Sequence, residues 1–371
     1  MIRRLFTSLL LFCAFSAPVL AAEADAIAAY QAGDFASALR ELRPLAEGGN
    51  STAQTILGFM YANGQGVPQD DAETARWFGL AALQGNADAQ HNLGYLYETG
   101  QGVARDGAEA VKWYRLAAAL GRVDSQYNLG AIYEEGAPGV LQDGLEAAKW
   151  YGLAAEQGDA DAQLALGLIH ADGRGVPQDY TEAGKWFRLA ADSGKAGAQF
   201  NLGNLYFNGN GVTQDEAQAV QLFGLAAAQG YAPAQFNLGI SYHTGRGVPP
   251  DDTLAAKWLQ LAADQGYAPA QSNLGILYDH GQGVPQDDLL AVKWYTLAAE
   301  QGDAYAQSGL GLMYKNGYGV EQDYVQAYKW MNLAAQQGHI AATKDLAAVA
   351  ARMSAEQLEQ ARKLVGEWTR R

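Results

Sequence analysis

Cysteine is almost missing from this chain: Cys13 is the only one in 371 residues. It lies in an apolar N-terminal segment, and Phe12 before it is not the small residue that a lipoprotein cleavage site wants. Without a second cysteine there is no disulfide framework, and a chain cleaved after this segment would have no thiol chemistry either. Basic residues are scarce too, 25 Lys and Arg against 40 Asp and Glu, for a formal charge of −15. With no Lys/Arg cluster to offset it, such a surface repels nucleic acid and anionic lipid. Beyond the N-terminal segment no apolar run reaches the roughly 17 to 20 residues that span a bilayer. Catalytic signatures are also lacking. Ser-x-x-Lys, Gly-x-Ser-x-Gly, His-Glu-x-x-His, Cys-x-x-Cys and Gly-x-x-x-x-Gly-Lys do not occur. The five histidines (His91, His170, His243, His280, His339) are far apart in the chain and not at metal-ligand spacing. Adjacent carboxylates are common in so acidic a chain and carry no assignment. No catalytic residue, metal ligand or cofactor is therefore expected.

The first 22 residues differ from the rest. Arg3 and Arg4 precede an apolar run from Leu5 to Phe15, and Pro18 leads into Val19-Leu20-Ala21-Ala22. This is the layout of a secretory signal peptide cleaved near Ala21 or Ala22. The run is short for an uncleaved membrane anchor, and Arg3-Arg4-Leu5-Phe6 is too weak a pattern to choose the twin-arginine route. Residues 1–22 are expected to be a signal peptide and the protein periplasmic, or secreted further. Loss of Arg3 and Arg4 moves the formal charge from −15 to −17.

What the chain has in abundance is glycine, 44 in all, at fixed intervals. A Gly-x-Gly-Val loop places valines at Val67, Val103, Val140, Val176, Val212, Val248, Val284 and Val320. Their spacing is 36 residues except once, where the Ala137-Pro138 variant makes it 37. A fixed period of this length signals a stack of structural repeats. Each copy reads as two helices, typified by Asp88–Tyr97 and by Ala147–Ala155. Their apolar residues recur at three and four residue steps and so share one helix face.

Aspartates stand where each second helix begins: Asp70, Asp106, Asp143, Asp179, Asp215, Asp251, Asp287 and Asp323. A Glu or Gln follows three residues later in six of the eight copies, as in a capping box where it would reach back to the cap. A row of metal ligands is the other reading of these aspartates, but each has its own helix to cap. Glycines such as Gly85 and Gly121 follow the second helices, where a left-handed residue ends them. The mid-helix glycine of Leu-Gly (Gly94, Gly130, Gly203 and their equivalents) costs about 1 kcal/mol against alanine, so close helix approach is expected there. Seven tryptophans, Trp77 to Trp330, share one position of the second helix. They are read as packing between repeats rather than as a stacking platform for ligands, since Leu222 replaces one of them.

The combination Ala-x-x-x-Leu-Gly-x-x-Tyr, Gly-x-Gly-Val-x-x-Asp and Ala-x-Lys-Trp-Tyr-x-x-Ala-Ala-x-x-Gly resembles the Sel-one-like repeat (SLR) family, a relative of the tetratricopeptide repeats. Departures are modest: Ala104 and Thr213 replace the loop proline, and His170 stands where Tyr97 does. The resemblance implies an all-α protein, a right-handed α-solenoid (superhelix) of antiparallel helix pairs, with about eight 36-residue repeats and capping helices. It implies a scaffold or adaptor for protein complexes, not an enzyme. Residues 50–342 would form the solenoid. Residues 23–49, with Ala29-Tyr30-Gln31-Ala32-Gly33-Asp34-Phe35, would be a tetratricopeptide-like N-terminal capping pair. Residues 343–371 would complete the C-terminal capping helices, with a lone first-type helix over 340–352 and a last one from Ser354 to Trp368.

By the same resemblance, first helices line the inner groove, and three positions around Leu-Gly are exposed there. They vary from copy to copy while the core positions do not. The partner-binding residues nominated are His91, Tyr95, Tyr127, Leu164, Phe200, Asn204, Phe207, Phe236, Ile240 and His243. An exposed aromatic run of this kind marks a binding surface; the competing expectation is that superhelical twist buries some of it. An unidentified protein partner is expected there, in the service of an envelope sensor or an envelope assembly process. Alternatives are a binder of peptidoglycan or exopolysaccharide, and a β-lactamase-like hydrolase, whose relatives in the family carry cysteine pairs that this chain lacks.

Overall fold

The computed structural model describes residues 17–369. Most of the expected signal peptide thus lies outside the described residues. The first helix, α1 (Ala17–Gln31), runs through Ala21 and Ala22. The chain divides into two compact units at Pro177/Gln178.

In the first unit α1 and α2 (Phe35–Glu47) are joined by a short turn. The pairs α3 (Ser51–Asn63) with α4 (Asp71–Leu83), α5 (Ala87–Thr99) with α6 (Gly107–Ala119), and α7 (Val123–Glu135) with α8 (Gly144–Glu156) follow. The unit ends on α9 (Ala160–Asp172). The second unit opens with α10 (Tyr180–Asp192) and continues with α11 (Ala196–Asn208) and α12 (Glu216–Ala228). Next come α13 (Ala232–Thr244) with α14 (Asp252–Asp264) and α15 (Ala268–His280) with α16 (Asp288–Glu300). The last are α17 (Ala304–Asn316) with α18 (Tyr324–Gln336), then α19 (Ile340–Ala350) and α20 (Ala355–Trp368). The described chain is thus an all-helical solenoid of antiparallel pairs; within each unit successive helices contact one another, and at the end α20 lies against α18.

The boundaries follow from local chemistry. Each expected aspartate is an N-cap whose carboxylate accepts from free amides of the first turn, as Asp106 Oδ1 does from Ala108 and Glu109 at 2.9 and 3.1 Å. The reciprocal half of the capping box is different from expectation. Glu109 turns forward, taking Lys112 Nζ at 2.9 Å and Trp113 Nε1 at 3.1 Å, and Glu146 does the same with Lys149 and Trp150. A lysine three residues on and an indole four residues on lie on the same face as the glutamate, so the carboxylate goes to them. A full capping box forms at Ser354–Gln357, ahead of α20.

The mid-helix glycines do admit a close neighbour. A Cβ on Gly94 would stand 2.8 Å from the Tyr114 ring, and one on Gly275 would stand 2.7 Å from Tyr295. The residue after the tryptophan, not the tryptophan, fills this space. Trp294 instead packs with Ala256 and Leu259 of the preceding copy and with Leu277 of its own. The loops lock adjacent copies. Gly283 has φ +68°, and a Cβ there would lie 2.0 Å from the Asp252 carbonyl at the start of α14. The 37-residue copy is accommodated in the same way: Gly107 N donates to Pro138 O at 3.0 Å, and a Cβ on Gly107 would meet that oxygen at 2.6 Å.

One buried amide ties three helices together. Gln271, 4% exposed, donates from Nε2 to the Ala263 carbonyl at the end of α14 (3.1 Å). Its Oε1 accepts from Gln301, the C-cap of α16, at 2.8 Å. Gln54, Gln126, Gln199, Gln235 and Gln307 repeat the arrangement. At Gln90 it is incomplete: Nε2 reaches Ala82 O, but Leu120 stands where the second glutamine would be and Oε1 has no partner. An unpaired buried acceptor is costly. Replacing Leu120→Gln should therefore raise stability by about 1 kcal/mol, while Gln271→Ala should lower it by roughly 1–3 kcal/mol. Urea unfolding followed by circular dichroism checks both; no gain in the first would argue against the three-helix tie.

Candidate functional site

The nominated residues stand on the first helices, as the pattern requires, but most are less open than expected. Tyr95 alone among the ten is exposed, at 45%; the other nine are half-buried. The cause is packing against the partner helix and against the next first helix.

In the first unit the His91 ring lies 5.5 Å from the Tyr114 ring, and its Nδ1 is 2.9 Å from Ser125 Oγ on the next first helix. Tyr127 packs on Tyr151 at 5.4 Å. Leu164 is half-buried on α9. Beside these residues Tyr114 Oη donates to Glu98 at 2.7 Å, and Tyr151 Oη to Glu134 at 2.9 Å. Burial, with the adjacent carboxylate, pushes both phenols far above their ordinary pKa. Arg174 pairs with Glu134 as well.

In the second unit Phe200 stacks edge-on to Tyr231 at 5.4 Å, and Phe236 stacks edge-on to Tyr267 at 5.5 Å. The two pairs occupy equivalent places one copy apart, so four rings follow one another over α11, α13 and the start of α15. Asn237 Nδ2 donates to Asn204 Oδ1 at 3.0 Å, linking the amides of adjacent copies. Ile240 is half-buried beside Phe236. Phe207 and His243 are engaged within the fold. The Arg246 guanidinium lies 3.8 Å from the centre of the Phe207 ring while Nε holds Glu216 at 2.9 Å, and His243 Nδ1 meets Asp252 Oδ1 at 2.7 Å. Phe200, Asn204, Phe236 and Ile240 therefore stand on equivalent places of two adjacent copies joined by the Asn204–Asn237 bond, whereas Phe207 and His243 are held by the loop residues.

Two features escaped the sequence reading. The buried glutamine was one, though it recurs in all eight copies, after alanine in seven and after Ser125 in the other. The second is a pairing between the residue after the tryptophan and the position four after Leu-Gly. Where the former is Tyr114, Tyr151 or Tyr295, the latter is Glu98, Glu134 or Asp279; where it is Phe223, Leu259 or Met331, the latter is Phe207, His243 or Lys315. A hydroxyl buried at that place needs an acceptor. The matched alternation in one chain would have disclosed the contact. Among the described residues, no three His, Cys, Asp or Glu side chains stand together as a metal site would need, and no helix is long and apolar enough to cross a membrane.

A model of the Sel1 repeat matches eight consecutive segments, 51–86, 87–121, 123–159, 160–195, 196–231, 232–267, 268–303 and 304–339. Two solved structures are similar over most of their length. One is a Sel1 repeat protein from Oxalobacter formigenes, 35% identical, covering 84% of this chain and 90% of its own, with a TM-score of 0.70. The other is a protective antigen of uropathogenic Escherichia coli strains displaying an SLR fold, 31% identical, covering 94% of each chain, with a TM-score of 0.62. No protein of curated function matches.

His91 offers a test of the packing on this face. Burial is the main reason its pKa lies below the ordinary 6.5; Arg122 acts in the same direction, and Asp124 and Asp88 oppose it. Above pH 6.5 the imidazole is neutral in the folded and unfolded chain alike and adds no pH dependence. As pH falls below 6.5, the unfolded chain takes up a proton that the folded one resists, and stability drops until the lowered folded value is passed. The difference in unfolding free energy between wild type and His91→Gln should shrink over that window. Nuclear magnetic resonance titration of the ring should give a midpoint below 6.5; one above it would contradict the burial.

Proposed function

The chain belongs to the Sel1 repeat family, and from that premise we propose that it is a periplasmic scaffold holding a segment of another protein on its first-helix face. Proteins of this family generally mediate protein–protein interaction. The observation that carries the reading here is the row Phe200–Tyr231–Phe236–Tyr267. Its rings are fixed edge to face and half open, with the Asn204–Asn237 amides alongside. Rigid aromatic surface beside a few hydrogen-bonding groups suits an apolar stretch of a partner with free backbone groups. Export rests on the Arg3-Arg4 start, the apolar run to Phe15 and the small residues at Ala21 and Ala22. An envelope sensor or an envelope assembly component is the kind of partner this location supplies. Sel1 repeat proteins are generally non-enzymatic scaffolds, which supports reading this chain as one.

Because Phe200 and Phe236 also pack on neighbouring rings, their removal would confuse binding with stability. Asn204→Lys and Ile240→Lys place charge on the same face with less loss of packing. In living cells a photoreactive residue at Ile240 should capture one discrete protein, and Asn204→Lys should lower that capture at least about tenfold, the scale of one central interface residue. Capture of wall polymer in place of protein would favour peptidoglycan or exopolysaccharide as the ligand. Fractionation with N-terminal sequencing tests the location: recovery of an uncleaved chain in the cytoplasm would overturn it.

A further inference from the structure

The second helices carry an apolar stripe of their own. One leucine per copy, Leu189, Leu225, Leu261 and Leu297 in the second unit, stays 37–54% exposed. The next residue in this register, Leu333, is 4% exposed because α20 lies on it. The chain therefore shows what can cover this face. The helix α20 runs along α18 and presents Ala361, Val365 and Trp368 to it. Val365 packs with Trp330 and Leu333, while Trp368 meets Trp330 edge-on at 5.2 Å with Lys329 Nζ 5.3 Å from its ring. The seat on α18 is the i, i+4, i+8 line of Val325, Lys329 and Leu333.

Two copies earlier the same line is Thr253, Lys257 and Leu261 on α14, and there it borders an open apolar cleft of about 520 Å³ floored by Ala256, Tyr278 and Val284. Two side chains that narrow the equivalent place elsewhere, Arg188 in α10 and Tyr328 in α18, have smaller or differently directed counterparts in α14. In α10 the side chain of Arg188 crosses to the Tyr206 hydroxyl and covers that ring. Its equivalent in α14 is Gln260, which turns to Asp264 at 2.8 Å and leaves Tyr278 uncovered. Ala256 is smaller than Tyr328 at the corresponding place in α18, so room remains beneath Leu261.

We propose that this cleft is a second docking site, taking an amphipathic helix of a partner protein seated on α14 as α20 is seated on α18. An aliphatic side chain would enter beside Leu261, with an aromatic ring against Lys257. The site combines α14 with Tyr278 of α15 and the loop at Val284, and it uses none of the first-helix residues nominated above.

A synthetic peptide of residues 354–369 is the probe, added to the full-length protein. Saturable binding is expected, weakened about tenfold or more by Leu261→Asp, the scale of one buried leucine, and by Ala256→Trp, which fills the cleft. Circular dichroism should show both variants folded. With a photoreactive residue at the position of Val365, the peptide should crosslink to α14. Three results would overturn the proposal: no binding, binding indifferent to Leu261→Asp, or crosslinks confined to α18, which would mean exchange with the resident helix. Self-association of the protein that Leu261→Asp abolishes would also overturn it, by making the occupant a second copy.

Discussion

A primary amide in apolar surroundings must find partners for its N–H groups and its oxygen, and in six of the eight copies the buried glutamine of the first helix finds them on two other helices at once. Gln271 holds the last turn of α14 through Ala263 and the end of α16 through Gln301. Displacing one copy relative to the next would leave both ends of that amide unpaired, so the register between pairs is fixed by hydrogen bonds and not by apolar contact alone. Apolar packing tolerates small slips, whereas the directional bonds of the glutamine do not. The loop glycines work toward the same end from the opposite side of the pair, pressing backbone on backbone where no side chain fits.

Such a frame explains why much of the architecture was legible in the sequence. Aspartate caps, terminating glycines, the glycine under Tyr114 and the serine that starts α20 act over a few residues, so their spacing along the chain is their spacing in space. What was hidden depends on partners elsewhere. Glu109 was expected to turn back to its cap, but Lys112 and Trp113 compete for it and win. The first-helix positions were expected to be open, yet His91 leans on Ser125 of the next first helix and Phe236 on Tyr267, the residue that caps the next one. Gln271 and its equivalents were concealed because a polar residue on an apolar helix face does not itself name the partners that would satisfy it. The seat of α20 on α18 also lay beyond reach, since nothing in its own periodicity names the surface it covers.

A division of labour follows between positions that repeat and positions that do not. Alanine, glutamine, glycine and the capping aspartates build a closely similar support from copy to copy. The variable places on first helices and the outer line on second helices then differ without disturbing it. Polar needs are still met locally: a tyrosine at position 114, 151 or 295 comes with its acid, and an apolar residue there comes without one. Diversity at the surface is therefore constrained in pairs.

Those pairings also limit how such a chain can evolve. The extra residue of the Ala137-Pro138 loop is received by Gly107, which belongs to the copy before it. Transplanting that loop behind a copy whose second helix starts with Asp71 or Asp288 would bring a carbonyl into a side chain. The heritable unit is consequently not the 36-residue motif but the junction between two of them, and gene duplications or deletions that cut inside a junction would yield a chain whose copies are individually sound and mutually incompatible.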